Sequence, residues 1–346
     1  MRRWERFLTC LWLVSVLIHP ARSADSLATV RLIAVGDMNL GRSLGQKILH
    51  GATEYPFKQI RGWFREADVV VANLEGPISD QQGETESPRS NVVFCAPPVA
   101  ARLLKDGGVT LVVTANNHAT DYGRTGIAET IDFLGREGVL WVGTSAESTG
   151  LFPPAIVVRN GVRIGFVAYT QFVNNRSSGG RFVSIFDSVR AALEIDSLRR
   201  RVDLIIASYH GGREYVDTSD AVTRAHMHAL IDAGADVVIG HHPHVARGIE
   251  RYKGKLMFLS LGNCIFYQPR RSWTDIGLGL DIVWRRREGR MVSSLVRLRP
   301  VHAGFQPSTE VPAAQAREFM ERIRRLSTVS ITSDQTGYVV EPYDQR

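Results

Sequence analysis

Long apolar runs are missing from this sequence. The one near the N-terminus, residues 7–18, falls short of the ~20 residues that a membrane-spanning helix needs. It follows the basic opening MRRWER and precedes HPARSAD, with small residues at Ala21 and Ser23. Basic start, short apolar run and small residues together read as a secretory signal over residues 1–23. The expectation is an exported protein, periplasmic or in the cell envelope, with an uncleaved membrane anchor as the alternative. Cysteine is scarce as well, with three in 346 residues. Cys10 lacks the small-residue neighbours of a lipidation site. Cys95 and Cys264 remain, and an exported compartment permits a disulfide between them. No basic stripe interleaved with aromatics appears, which argues against nucleic acid as a partner. The formal net charge of +7 is mild, and four arginines against one glutamate in residues 1–23 leave +4 on the rest. The arginine runs at 199–201 and 285–287 read as solvated surface. Internal repeats, long low-complexity segments and an interdomain linker are also missing.

What is present alternates. TVRLIAVGD, ADVVVANLEG, VTLVVTANNH, VDLIIASYHGG and ADVVIGHHPH are apolar, β-branched runs with polar tips. Helical stretches separate them, at residues 56–66, in PPVAARLLKDGG, in RTGIAETIDFLGREG, and at 188–200 and 221–232. In the second, proline stands near the start and glycine at the end; Gly138 closes the third. PAIVVRNGVRIGFVAYT predicts a hairpin turning at Asn160-Gly161. KLMFLSLGN and residues 279–284 and 291–298 predict further strands, and 310–325 a last helix. Residues 81–90 are polar enough for a mobile loop, and the tail after Thr328 reads as loosely held. Strands alternating with helices predict an α/β layered fold. The division is residues 28–304 as one domain and 305–346 as a C-terminal helix and tail.

In open α/β sheets, ligands bind outside the carboxyl ends of the strands. Here nearly every buried strand ends in a carboxylate, a carboxamide or an imidazole. In chain order these are Asp37 and Asn39; Asn73 and Glu75; Asn116, Asn117 and His118, with Asp121 beyond; His210; His241, His242 and His244; and Asn263. Each alone has an ordinary use, since aspartate and asparagine cap and turn chains. Six strand ends in series go beyond what turns require. Imidazoles with carboxylates, and no thiolates among them, suit Zn, Mn or Fe better than an all-oxygen calcium site. In an extended segment, His242 and His244 share a side, and Pro243 stiffens the link between them. Asp37 and Glu75 on neighbouring strands would supply a carboxylate bridging two cations. Two metals ~3.5–4 Å apart clamp a phosphate and activate a water.

The strings GDMNLGR, NLEGPIS, TANNHATDYG, YHGGREY, GHHPHVARGIE and SLGNCIF occur in this order. Together they resemble the CapA family of poly-γ-glutamate capsule synthesis proteins, which is related to the calcineurin-like metallophosphatases. The resemblance runs from about Val30 to Phe266. It implies a four-layer α/β/β/α metallophosphatase-like sandwich with one or two divalent ions at the strand ends. By position, Asp37 resembles the first-motif ligand, and Glu75 stands where the phosphatases have a bridging aspartate. Asn117 resembles the metal-binding asparagine, and His210 the isolated histidine ligand. His242 and His244 resemble the final histidine pair, with His241 the alternative and Asn263 beside them as ligand or support. His118 resembles the histidine that gives a proton to the leaving group, oriented by an acid such as Asp121. One departure stands out: the phosphatases carry Asp-x-His where this chain has Asp37-Met38-Asn39, and a carboxamide oxygen is a weaker donor than imidazole. Arg42, Arg124 and Arg213 near the site loops agree with an anionic substrate.

The function so implied is hydrolase-type metal chemistry in the synthesis or handling of an anionic capsule or envelope polymer. Membrane-bound capsule synthesis or export proteins would be its partners. One alternative is an envelope phosphodiesterase or phosphatase with a phosphoester substrate and no tie to a capsule. Another is a non-catalytic, polymer-binding component of a capsule assembly complex, which the departures at Asn39 and Glu75 favour.

Overall fold

The first strand, β1 (Thr29–Met38), carries the layering in its alternation. Leu32 and Ala34 face one apolar cluster, Ile33 and Val35 another, as a period of two requires. A strand buried on both faces lies inside a stack of layers. The structure is a computed structural model and describes residues 28–341 apart from 89, 149–151, 176–178 and 336. The signal segment expected at 1–23 lies outside the described residues. Among the described residues, no helix is long and apolar enough to cross a membrane.

After β1 come α1 (Arg42–Leu49), α2 (Arg61–Phe64), β2 (Val69–Leu74), β3 (Glu86–Ser87), β4 (Ser90–Phe94) and α3 (Ala100–Gly107). Then follow β5 (Leu111–Val113), α4 (Gly123–Glu137), β6 (Leu140–Val142), β7 (Ala155–Arg159), β8 (Val162–Thr170) and α5 (Ser188–Arg199). The chain continues through β9 (Leu204–His210), α6 (Ala221–Asp232), β10 (Val237–His241), β11 (Ile249–Tyr252), β12 (Lys255–Phe258) and β13 (Asn263–Ile265). It closes with β14 (Ile276–Arg287), β15 (Arg290–His302), α7 (Ala313–Leu326), β16 (Ile331–Asp334) and β17 (Gly337–Val340). Nine strands form one sheet in the order β16-β17-β15-β14-β1-β2-β5-β6, with β13 pairing beside the end of β1. Six form the other, in the order β11-β12-β10-β9-β8-β7.

Three apolar interfaces make this a four-layer α/β/β/α sandwich. Between the sheets, Leu32, Ala34 and Val71 meet Ile164, Phe166, Ile206 and Ile239. On the outer face of the large sheet, Ile33, Val70 and Val112 pack under Leu44 and Ile48 of α1, Phe64 of α2, Leu103 and Leu104 of α3 and Leu134 of α4. On the outer face of the small sheet, Ile205, Ala207 and Val238 pack under Ala191, Ile195 and Leu198 of α5 and Met227 and Leu230 of α6. Each fully buried side chain of this kind contributes ~1.5–3 kcal/mol. That core can carry a few unsatisfied polar atoms at one pole, at ~1–3 kcal/mol each.

The hairpin expected at Asn160-Gly161 is present, with φ of +50° and +75° as a two-residue primed turn needs. The helices expected in PPVAARLLKDGG and RTGIAETIDFLGREG and at 188–200 and 221–232 are present as α3, α4, α5 and α6, whereas the one expected at 56–66 shrinks to the single turn of α2. Two expectations are corrected. The loop expected at 81–90 holds β3 and begins β4, a short antiparallel hairpin. The tail after Thr328 is held through residue 341, since β16 and β17 pair and β17 extends the large sheet beside β15. Both segments form only short strands, so alternation gave no warning. Helix α7 adds Phe319, Met320 and Ile323 to the cluster between the sheets. Its Arg322 is buried, pairs with Asp217 at 2.6 Å and donates to the Ala246 carbonyl at 2.8 Å. Gly248 lies so close to α7 that a Cβ there would stand 1.9 Å from the Leu326 carbonyl oxygen.

Candidate metal centre

The parallel strands of both sheets point their carboxyl ends at one place. β1 delivers Asp37, and Gly36 before it is required by close approach: a Cβ there would lie 1.8 Å from the Gly262 carbonyl oxygen. That contact lets Asp37 N–H donate to Gly262 O at 2.9 Å and sets Asp37 opposite Asn263. Glu75 follows β2, the turn after β5 carries Asn116 to His118, and β9 and β10 end at His210 and His241. All of these side chains are buried.

Two of the carboxamides hold the others in place. Asn73 Nδ2 donates to Asp37 Oδ1 at 2.9 Å and to Glu75 Oε2 at 3.4 Å. Asn116 Nδ2 donates to the Leu74 carbonyl at 2.8 Å, and its Oδ1 accepts His118 N–H at 3.1 Å. Asn39 Oδ1 accepts Gly41 N–H at 2.8 Å, which spends that oxygen on the turn into α1.

The imidazoles fall into a definite pattern. His210 Nε2 stands 2.8 Å from Asn117 Oδ1, so that nitrogen carries the proton and Nδ1 keeps its lone pair. His244 Nδ1 stands 2.9 Å from Asn263 Oδ1, which leaves its Nε2 lone pair 3.6 Å from Glu75 Oε1. Asn263 Nδ2 donates in turn to Gln268, and Gln268 to the Tyr215 hydroxyl at 3.1 Å. His241 Nδ1 and His244 Nδ1 approach the two oxygens of Asp37 at 3.3 and 3.4 Å. The His242 ring lies 4.9 Å from that of His210, with Phe172 edge-on at 5.2 Å. His118 Nδ1 meets Asp121 Oδ2 at 2.8 Å, and its Nε2 is 3.9 Å from Glu75 Oε1.

The extended His242-Pro243-His244 segment expected from sequence is corrected. Both histidines have positive φ, +97° and +59°, so the chain reverses through the motif. The left-handed region costs a non-glycine residue ~1–2 kcal/mol. The rings of His242 and His244 converge to 6.2 Å through that turn.

The donor set fits a cation. Asp37, Glu75 and His210 each bring one ligand atom within 4.8 Å of the others. Asp37 Oδ2, Glu75 Oε1 and the Nδ1 atoms of His210, His241 and His242 are buried without a hydrogen-bond partner among the described residues. Carboxylate oxygens and imidazole lone pairs facing each other are what a first-row divalent ion accepts. Electrostatics agree. Burial would push Asp37 up, but His241 and His244 outweigh it and hold its carboxyl well below the usual range. Burial drives Glu75 well above that range, against the charge of His244. Burial and neighbouring imidazoles push His210 well down and His242 down to about 3, so both are neutral and able to ligate. Burial would lower His244 too, but Glu75 and Asp37 overcome it and raise it to about 9.

A family profile described as bacterial capsule synthesis protein PGA_cap matches residues 31–268. The chain belongs to this family. Two curated relatives are a capsule biosynthesis protein CapA of Bacillus anthracis and a PGA biosynthesis protein CapA of Bacillus subtilis. They are 28% and 29% identical to this chain, each over 69% of it. The matches cover 60% and 63% of those proteins, so the chain spans about three fifths of their length. A calcineurin-like phosphoesterase of Bacillus subtilis is similar in structure, with a TM-score of 0.45 and 15% identity over 87% of this chain and 99% of that one. A likeness at that level carries no weight beside the family match.

The family's motif strings also hold residues that the strand-end reading passed over. Tyr215 in YHGGREY lies parallel to His244, with ring centres 5.8 Å apart. Phe266 in SLGNCIF packs 4.8 Å from the same imidazole. Phe94, outside the strings, stacks on His118 at 4.3 Å, and its N–H donates to Asp121 Oδ2 at 3.2 Å. Only the fold brings it there. Of the three arginines named from sequence, Arg42 reaches this rim, 5.8 Å over Phe94 and 3.4 Å from Glu86. Arg124 lies over Phe182 instead. Arg213 is exposed, and its carbonyl accepts from Arg247 at 2.7 Å. Cys95 and Cys264 are buried free thiols, pushed up by burial, Cys95 to about 11. The disulfide that export would permit is not formed between them.

Proposed function

We propose that this protein is an exported, envelope-located member of the capsule synthesis family whose strand-end cluster holds one or two divalent ions. It uses them in hydrolase-type chemistry on a poly-γ-glutamate-like anionic polymer, beside membrane-bound capsule synthesis or export proteins. The observation that carries this reading is that Asp37, Glu75 and His210, all buried, each bring one ligand atom within 4.8 Å of the others. His244 Nε2 and His242 Nδ1 would complete the donor set, while Asn117 Oδ1 takes the proton of His210 Nε2. A bound divalent ion supplies Lewis acidity and lowers the pKa of a water. The remaining work belongs to the chain. Asp121 fixes the proton on His118 Nδ1 and aims Nε2 at the cluster, where the protonated ring delivers a proton to the leaving atom. Phe94 and Phe266 wall the imidazoles with apolar surface and keep bulk water off them.

The test is elemental analysis of the purified full chain after loading with Mn, Zn or Fe. Wild type should carry about one or two ions, and His210→Ala and Glu75→Ala far less. His118→Ala should keep the metal and lose turnover of γ-glutamyl polymer by roughly 10²–10⁴-fold. Wild type free of metal under every load would sink the reading.

A further inference from the structure

Two imidazoles approach Glu75 Oε1, His118 through Nε2 at 3.9 Å and His244 through Nε2 at 3.6 Å. Each imidazole is backed by an aromatic ring, Phe94 for His118 and Tyr215 for His244. Each ring in turn carries a guanidinium. Arg42 lies 5.8 Å from the centre of Phe94, and Arg271 lies 4.8 Å from the centre of Tyr215. The same series, imidazole, aromatic ring and arginine, is thus built twice around one carboxylate.

Both stacks are held by backbone that is costly to make. Nine described residues other than glycine have positive φ. Asn160, Lys253 and Glu288 each precede a glycine in a hairpin turn, where that geometry is ordinary. Arg42 (+52°), Tyr215 (+58°), His242 and His244 belong to the site. Strain gathered at one place and held by its surroundings marks function. Thr85 pins Arg42 from both directions, its carbonyl taking Arg42 N–H at 2.8 Å and its hydroxyl donating to Arg42 O at 2.7 Å. Tyr215 N–H donates to Pro243 O at 2.9 Å. The buried Arg247 guanidinium binds the carbonyls on either side, Arg213 at 2.7 Å and Val216 at 2.8 Å. Arg271 itself is exposed, and its carbonyl accepts the Thr274 hydroxyl at 2.7 Å.

We propose that Arg42 and Arg271 are two anion-holding arms, and that the site takes a polycarboxylate chain lying across it, with a charged residue on each side of the reacting bond. This rests on the capsule-polymer reading above and makes it specific: the chain is engaged internally, not by one end. Guanidinium suits the role because its planar fork binds carboxylate while its face stays on the ring. Arg42 exchanges its exposed contact with Glu86 for the ligand.

The test uses the metal-loaded full chain and two fluorescent probes, a labelled γ-glutamyl dipeptide and a labelled long γ-linked glutamate oligomer, followed by anisotropy. Wild type should bind the oligomer at least about 10-fold more tightly than the dipeptide, since only the oligomer reaches both arms. Arg42→Gln and Arg271→Gln should each weaken oligomer binding roughly 3- to 10-fold, and the double variant roughly 30-fold, with metal content and melting temperature unchanged. Arg271→Lys should fall between, keeping charge without the flat face. Arg270→Gln, the same charge one residue away, should stay within about twofold of wild type. Tight oligomer binding that ignores both arginines would overturn the arms and leave the capsule reading standing. An equal loss in Arg270→Gln would reduce the effect to general surface charge and overturn the arms as well. Wild type that binds no γ-glutamyl oligomer would overturn both readings.

Discussion

Two fully buried aspartates sit on adjacent strands and keep opposite company. Asp281 on β14 lies across from Ile33 of β1, and Asp37 lies near the end of β1. Asp281 receives a two-pronged contact from Arg31, Nε to Oδ1 at 2.9 Å and a terminal nitrogen to Oδ2 at 2.7 Å, with Arg297 at 3.9 Å. Asp37 receives imidazoles at 3.3 and 3.4 Å and a carboxamide, and its Oδ2 has no hydrogen-bond partner among the described residues. Where a carboxylate only ties strands together, the chain provides the cation itself. Asp37 instead shares its charge with imidazoles and keeps one oxygen without a hydrogen bond among the described residues.

Removing Asp281 should do the most damage. Asp281→Ala leaves Arg31 without its main partner and should cost ~3 kcal/mol, the low end for a broken buried pair because Arg31 is partly exposed. Urea unfolding with and without divalent ions should give the same loss, and a loss that appears only with metal would erase the contrast. Asp37→Asn should behave in the reverse way. Metal-free stability should fall, though by less than for Asp281→Ala, because the carboxamide keeps the shape while His241 and His244, which hold the carboxyl low, lose its charge. Saturating metal should raise wild type by ~2–3 kcal/mol at a hundredfold excess over Kd and raise the variant by nothing, as read by thermal shift.

The smallest effect sharpens the contrast at a carboxylate remote from both. Asp220 caps α6, its side chain accepting Thr223 N–H at 2.8 Å and the Thr223 hydroxyl at 2.9 Å. Asp220→Ala should cost ~1 kcal/mol and leave metal content unchanged. Burial alone would raise this carboxyl, but the Thr223 bonds outweigh it and lower it from 3.8. The lowered group stabilises the fold above the unfolded value, and that stabilisation disappears as pH falls through the folded one. The variant should therefore lose less stability than wild type on acidification below about pH 4, measured by the melting temperature.

The layered fold was legible because strands buried on both faces are written as unbroken apolar runs, and helices cap them in regular alternation. Asp37, Glu75 and His210 were legible as the polar tips of those runs. The path through His242 and His244 was not, since positive φ at a non-glycine residue leaves no mark in composition. Asn73 and Asn116 could be seen at strand ends, but whether a carboxamide grips a cation or a neighbouring carboxylate depends on angles that only the fold provides. Arg31 and Asp281 meet across 250 residues, and no local pattern announces such a pair. Phe94 and Arg271 join the site from short polar segments that lack periodicity.

Helix α7 lies outside the residues that the family profile covers. Through Arg322 it nevertheless braces Asp217 and the chain just before Arg247, and Arg247 sets the backbone on which Tyr215 rides. A change in this helix would therefore reach Tyr215 through Arg322 and Arg247 without altering any residue at the strand ends.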